Sequence, residues 1–169
     1  MGQKEIRWEN LGELGIGRPT LGLLTNVTAY RLMQFSLRHV LNSEFGKEKT
    51  DEFLYRAGEL AGRQIYENLI KKAKDLTDLV TRVTSLFADL NAGLFRAERS
   101  DEERKEFTVT VSEDLDCSGL PVDGETKCVY DEGLIGGILS EFLKTEIVAK
   151  EVDCWATGAR ICRFEAKPR

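Results

Sequence analysis

Most of the chemistry this sequence offers lies in four cysteines, Cys117, Cys128, Cys154 and Cys162, all in the last third of the chain. In a reducing compartment such a cluster points to metal binding or redox work rather than to a disulfide frame. Glu is abundant while Asn and Gln are scarce, a thermophile-like balance, and thermophile cytosol tolerates disulfides. A metal site, buried reduced thiols and disulfides therefore all stand as readings. Cys154 and Cys162 fall on the two arms of a hairpin. With a three-residue loop, Thr157 to Ala159, they oppose each other directly, with Cβ atoms about 4.5–5.5 Å apart. That suits two thiolates on one ion. A two-residue loop would turn the thiols to opposite faces. Cys128, with Cys117 or a carboxylate, could complete a tetrahedral site. The spacing is not that of a zinc ribbon, which uses closely spaced pairs.

Other catalytic chemistry is hard to find. His39 is the only histidine and reads as a solvent-facing or capping residue, so a Ser-His-Asp or Cys-His pair has no local support. Gly15-Ile16-Gly17 and Gly133, Gly136 and Gly137 lack the strand-turn-helix context of a dinucleotide fingerprint. The second group reads as room for a helix packed closely on a sheet. No flavin, nicotinamide or iron–sulfur signature is present. The chain reads as a binding module rather than an enzyme, with no catalytic residue assigned.

The elements that must position the cysteines follow from periodicity. Residues 1–18 read as an irregular arm. Val27, Tyr30, Leu32, Met33, Leu37, Val40 and Leu41 recur at helical spacing over about 25–41. A longer helix is expected from Thr50, as N-cap, to about Ala73, with Phe53, Leu54, Ala57, Leu60, Ala61, Ile65 and Leu69 on its apolar face. Ala57, Gly58, Ala61 and Gly62 form a small-residue band, for close helix packing or as room for a ligand. A third helix spans about Leu76 to Leu90. Arg99 to Arg104 reads as a turn, and Phe107, Val109 and Val111 alternate with polar residues as a strand does. Leu134 to Leu143 outlines a further helix, and Ile147–Cys154 with Arg160–Phe164 a closing hairpin. Helices first, then strands flanking a helix, predict an α+β fold with a small antiparallel sheet.

Composition bounds the partners. The chain has 169 residues, 41% of them hydrophobic and 31% charged, with a formal net charge of −5. This is the balance of a folded domain large enough to hold its core without staples. An acidic chain without a basic stretch is a poor ligand for nucleic acid or an anionic membrane. No apolar run is long enough to span a bilayer, and the N-terminus lacks a signal-peptide core, so a cytoplasmic location is expected.

Two segments carry a resemblance. Lys127-Cys-Val-Tyr-Asp-Glu-Gly-Leu-Ile-Gly-Gly-Ile-Leu139, followed by Lys150-Glu-Val-Asp-Cys-Trp-Ala-Thr-Gly-Ala-Arg-Ile-Cys-Arg-Phe-Glu165, resembles the C-terminal half of the 4-vinyl reductase domain family. Tyr30-Arg31 and Tyr55-Arg56-Ala57-Gly58 are compatible with its weaker N-terminal half. The family includes free-standing archaeal proteins and sensor domains of phenol-responsive bacterial activators, and its fold is similar to that of TRAPP subunits and haem nitric-oxide sensors. The resemblance implies one ligand-binding domain over residues 19–169 and a structural zinc held by three cysteines and a glutamate, here Cys128, Glu151, Cys154 and Cys162. Glu151 and Cys154 are three apart and face opposite sides of a regular strand, so a bulge near Val152 is required. Cys117 is the alternative fourth ligand. The resemblance also implies an apolar cavity, for which Phe87, Phe95, Phe107, Tyr130 and Trp155 are candidate contacts. It implies a homodimer joined through the N-terminal arm and the helix around Ala29–Leu41, and a downstream protein partner. The functional expectation is a sensor or carrier of a hydrophobic or aromatic small molecule. The alternatives are a TRAPP-like dimeric scaffold and an accessory role in tetrapyrrole vinyl reduction.

Overall fold

A computed structural model describes residues 6–169; Met1 to Glu5, part of the expected arm, lie outside the described residues. The arm from Ile6 onward is a short 3-10 turn at Trp8–Leu11 and a single turn, α1, at Leu14–Gly17. Three helices follow: α2 (Val27–Phe45), α3 (Lys47–Ile65, extended by a π-turn over Tyr66–Ile70) and α4 (Leu76–Asp89). Then come β1 (Leu94–Asp101), β2 (Glu106–Ser112), α5 (Val129–Leu143), β3 (Ile147–Asp153) and β4 (Cys162–Pro168). The strands form one antiparallel sheet in the order β1-β2-β4-β3. The expected α+β architecture is present. Among the described residues no helix is long and apolar enough to cross a membrane.

Helix α5 is the centre of the molecule. Ten of its fifteen residues are buried, because it lies between α3 and the sheet. Both of its faces must therefore be apolar, as in a helix without a solvent side. Its contact with α3 is made by glycines. A Cβ on Gly58 would stand 1.9 Å from the Tyr130 carbonyl oxygen, and one on Gly133 2.0 Å from that of Tyr55. Gly62 and Gly137 meet the opposite backbone in the same way. The small-residue band thus serves helix–helix contact. Gly133 and Gly137 face α3, not the sheet as the sequence predicted; only Gly136 approaches it, at the Ile147 carbonyl.

Three local expectations need correction. Gly46, with φ 79°, is the N-cap of α3, and Thr50 lies inside the first turn with its hydroxyl donating to the Gly46 carbonyl. Helix α5 begins at Val129, five residues before its first counted apolar position. Strand β1 takes in Arg99 to Asp101, which sequence reading gave to a turn. Its polar residues suit an edge strand, and a register shift between Ala97 and Arg99 breaks the alternation that would have marked it.

Helix α2 differs from the rest: none of its residues is buried. Leu32 is 68% exposed, and Met33, Leu37 and Val40 are also open. Polar bonds hold it down. Arg31 donates to the carbonyls of Leu115 (2.8 Å) and Ser118 (2.9 Å). Arg38 donates to the Lys127 carbonyl and pairs with Asp51 at 2.8 Å. Helix α2 therefore clamps the loop between β2 and α5, which carries Cys117.

Candidate metal centre and ligand cavity

The hairpin register is the one that brings Cys154 and Cys162 together. Asp153 pairs with Arg163, and each cysteine sits one position beyond that pair. A register shift between Glu151 and Asp153 supplies the bulge at Val152. The loop after β2 then brings in Cys117, and the start of α5 brings in Cys128. All four thiols are buried and unpaired by disulfides. Their sulfurs all lie within 4.8 Å of one another, with Cys117 and Cys162 at 3.0 Å and Cys128 and Cys162 at 3.6 Å. A tetrahedral zinc with bonds of about 2.3 Å would space its sulfurs roughly 3.8 Å apart. The four cysteines could therefore hold a metal ion.

The electrostatics of the cluster fit that use. Hydrogen bonds from Cys117, Cys128 and Cys162 hold the Cys154 thiol well below the usual thiol range. The same network, led by Cys117, pushes Cys128 and Cys162 up. Four sulfurs this close are a dense donor set in a dry site, and a bound cation would relieve it by taking them up as thiolates.

Glu151 sits beside this cluster with a different task. Its Oε2 accepts from the backbone N–H of Lys127 (3.1 Å) and Cys128 (3.0 Å). It thus caps the N-terminus of α5, where unpaired donors and the helix dipole favour a carboxylate. Burial pushes its carboxyl up to about 8, and its Oε1 is buried without a partner. The four atoms that lie within 4.8 Å of one another are the cysteine sulfurs, Cys117 among them.

Of three aspartates that sequence reading did not single out, Asp114 and Asp131 lie close to the Cys128 sulfur and Asp116 adjoins Cys117 in the chain. Asp114 Oδ1 accepts from the backbone N–H of Asp116 (2.8 Å) and Cys117 (3.1 Å) and lies 3.7 Å from the Cys128 sulfur. Tyr30 donates to Asp116 Oδ1 at 2.7 Å. Burial, then the charge of Asp114, pushes Asp116 up to about 6, and burial with both neighbours raises Asp131 well above the carboxylate range. The run Asp114-Leu-Asp-Cys117 and the Tyr130-Asp131 pair were visible signals. Acidic residues are common in loops, so only the fold shows that these ones are buried.

The expected ligand contacts do not converge on one cavity. Phe95 and Phe107 line a small apolar void of about 30 Å³ between α4, α5 and the sheet. Phe87 packs against Phe95, with ring centroids 5.3 Å apart. Trp155 anchors the cysteine loop by donating to the Leu120 carbonyl at 3.0 Å. Trp155 also borders an open hollow of about 430 Å³ beside the cysteine loop, and Tyr130 faces a separate, mostly apolar cavity of about 390 Å³ between α2, α3 and α5, lined by Met33, Leu37, Leu54, Ala57 and Leu134. Tyr30, Gln34, Asp116 and Asp131 give it one polar end. Leu54, Ala57 and Ile65, counted from the sequence as core, line it instead.

A helix pair backed by a small antiparallel sheet, with a cysteine cluster at one end and a side cavity, defines a class of α+β domain. Residues 107–168, which carry β2, α5, β3, β4 and all four cysteines, match the 4-vinyl reductase domain, the family that the two sequence segments resemble. The chain is 24% identical over 148 residues to the uncharacterized protein MJ0150 of Methanocaldococcus jannaschii, covering 88% of this chain and 79% of that one. Three solved structures share the fold. The phenol-responsive sensory domain of the transcription activator PoxR, with phenol, has a TM-score of 0.68 at 16% identity, covering 86% of this chain and 76% of that one. A vinyl-4-reductase family protein from Methanocaldococcus jannaschii has a TM-score of 0.59 at 17% identity, covering 100% and 99%. A trafficking protein particle complex subunit 3 from Naegleria fowleri, covalently bound to palmitic acid, has a TM-score of 0.64 at 12% identity, covering 85% and 95%.

Proposed function

We propose that this chain is a small-molecule-binding module, a sensor or carrier, in which a structural zinc stiffens the body and a hydrophobic ligand occupies the cavity beside α2. The observation that carries the reading is that cavity. Its volume falls in the range of roughly 300–1,000 Å³ typical of ligand sites, mostly apolar with a few convergent polar groups. The match to the 4-vinyl reductase domain and the sensory-domain neighbour support it. Zinc is the ion best suited to four thiolates in a closed site, where it would be structural because no position is left for water. We assign Cys117, Cys128, Cys154 and Cys162 as its ligands and Glu151 as the helix cap behind them. Four free buried thiols fit a reducing, cytoplasmic location.

Ligand binding would act through α2, which is tied to the cysteine loop by Arg31 and Arg38. Its exposed Leu32, Met33, Leu37 and Val40 form a face that a second copy or a downstream protein would cover. That same face supports the second reading, a dimeric interaction module like the trafficking-complex subunit. Native mass spectrometry of the purified full chain, with metal analysis on the same sample, tests both. The first reading expects a dimer with one zinc per chain and a releasable organic mass. A zinc-loaded dimer that neither carries nor takes up any apolar compound would favour the scaffold. Absence of zinc with the thiols joined as disulfides would contradict the metal assignment.

A further inference from the structure

The polar end of the large cavity leaves two buried acceptors open. Asp116 is 4% exposed. Its Oδ1 takes the Tyr30 hydroxyl, and its Oδ2 is buried without a well-formed bond. Gln34, beside it on α2 with its amide within reach of the Asp116 carboxyl, has a buried Oε1 that no donor meets. Asp131 lines that end too. A buried acceptor left unpaired is costly, and two at one end of one cavity are rarely tolerated without a purpose. The single cation in the lining, Arg38, is committed to Asp51 and to the Lys127 carbonyl.

The apolar end continues further. Tyr130, Ile65 and Leu90 also line a second hollow of about 300 Å³, roofed by Ile6, Trp8 and Leu11 of the N-terminal arm. The two hollows thus run together along the outer face of α3, from the acceptors to beneath the arm.

We infer that the ligand is a primary amine with an extended apolar body: its N–H donors meet Asp116 and Gln34, and its tail runs along α3 toward Trp8. This deepens the small-molecule reading above and rests on it. A primary amine offers two or three donors, enough for both open acceptors. A carboxylate head has no donor to offer either open acceptor. A phenol or alcohol has a single donor and would leave one acceptor unpaired.

The test uses the zinc-loaded full chain and probes that share a body but differ in head: octylamine, octanol and octanoate, with phenol as a compact single donor. Binding is read by calorimetry. Octylamine is expected to bind at least tenfold more tightly than octanol, with octanoate weakest. Asp116→Asn should remove most of that preference with zinc content unchanged. Because Asp116 adjoins Cys117, Gln34→Met on α2 gives an independent check, and should weaken octylamine several-fold while sparing octanol. Equal affinity for octylamine and octanol, or preference for octanoate or phenol, would overturn the head-group inference and leave the small-molecule reading intact. No binding of any probe, with no organic mass in the purified protein, would overturn both.

Discussion

Two adjoining stripes of α3 are put to different uses. One carries Gly58 and Gly62 and lies against the α5 backbone closely enough that no side chain fits between them. The other carries Leu54, Ala57 and Ile65 and faces a cavity of about 390 Å³. Beyond the first lie α5, the inner face of the sheet and the cysteine cluster, which hold most of the buried residues. Beyond the second lies α2, with no buried residue, held by polar bonds and by the Phe45–Phe53 ring contact. Burial is concentrated beyond the glycine stripe, and under the proposed function α2 would be the less stable, ligand-binding element.

Substitutions on the glycine face should have the largest effect. Gly58→Val or Gly133→Val drives a side chain into a carbonyl oxygen. Overpacking ordinarily costs about 1–3 kcal/mol and sometimes more; here backbone would have to move, so we expect loss of cooperative thermal unfolding. Removing the metal comes next. A chelator, or Cys154→Ser, should abolish zinc binding and lower the melting temperature sharply, because structural zinc supplies folding energy. Cys117→Ser should do the same, whereas Glu151→Gln should retain zinc and lose stability only through a weaker cap. The reverse pattern would restore Glu151 to the ligand set.

On the open face the effects should be smaller and of another kind. Tyr30→Phe removes the one donor to Asp116 and should cost about 2 kcal/mol, visible as faster amide exchange in α2. Ala57→Leu fills the cavity from the α3 side. Unfolding should shift by no more than about 0.5 kcal/mol, while uptake of apolar ligand is lost. A large stability change at Ala57 would mean that the two faces are not separable in this way.

Much of the closed side was legible in the sequence. The hairpin facing Cys154 to Cys162, the bulge at Val152 and the membership of Cys128 all follow from strand periodicity and the resemblance. The role of Cys117 was left open because an eleven-residue loop reaches many places and periodicity says nothing about where it ends. The open side was read less well. Leu54 and Ile65 carry the spacing of a core stripe, and spacing alone cannot tell a filled interior from a cavity wall. Helix α2 was found from an apolar face that the single chain leaves uncovered. Phe95, Phe107 and Trp155 were reasonable candidates by type, but an aromatic residue is as useful in a core as beside a ligand. Gln34 gave no signal and Asp116 only that of its acidic run, since an unpaired buried acceptor exists only once the fold has surrounded it.

Peptide-resolved amide exchange on the zinc-loaded chain, with and without an apolar ligand, tests the division across α3 most directly. The account predicts slow exchange in α5 and β2 to β4 in both states, and fast exchange in α2 that the ligand suppresses. Equal protection of α2 and α5 without ligand, or ligand protection confined to the sheet, would contradict it.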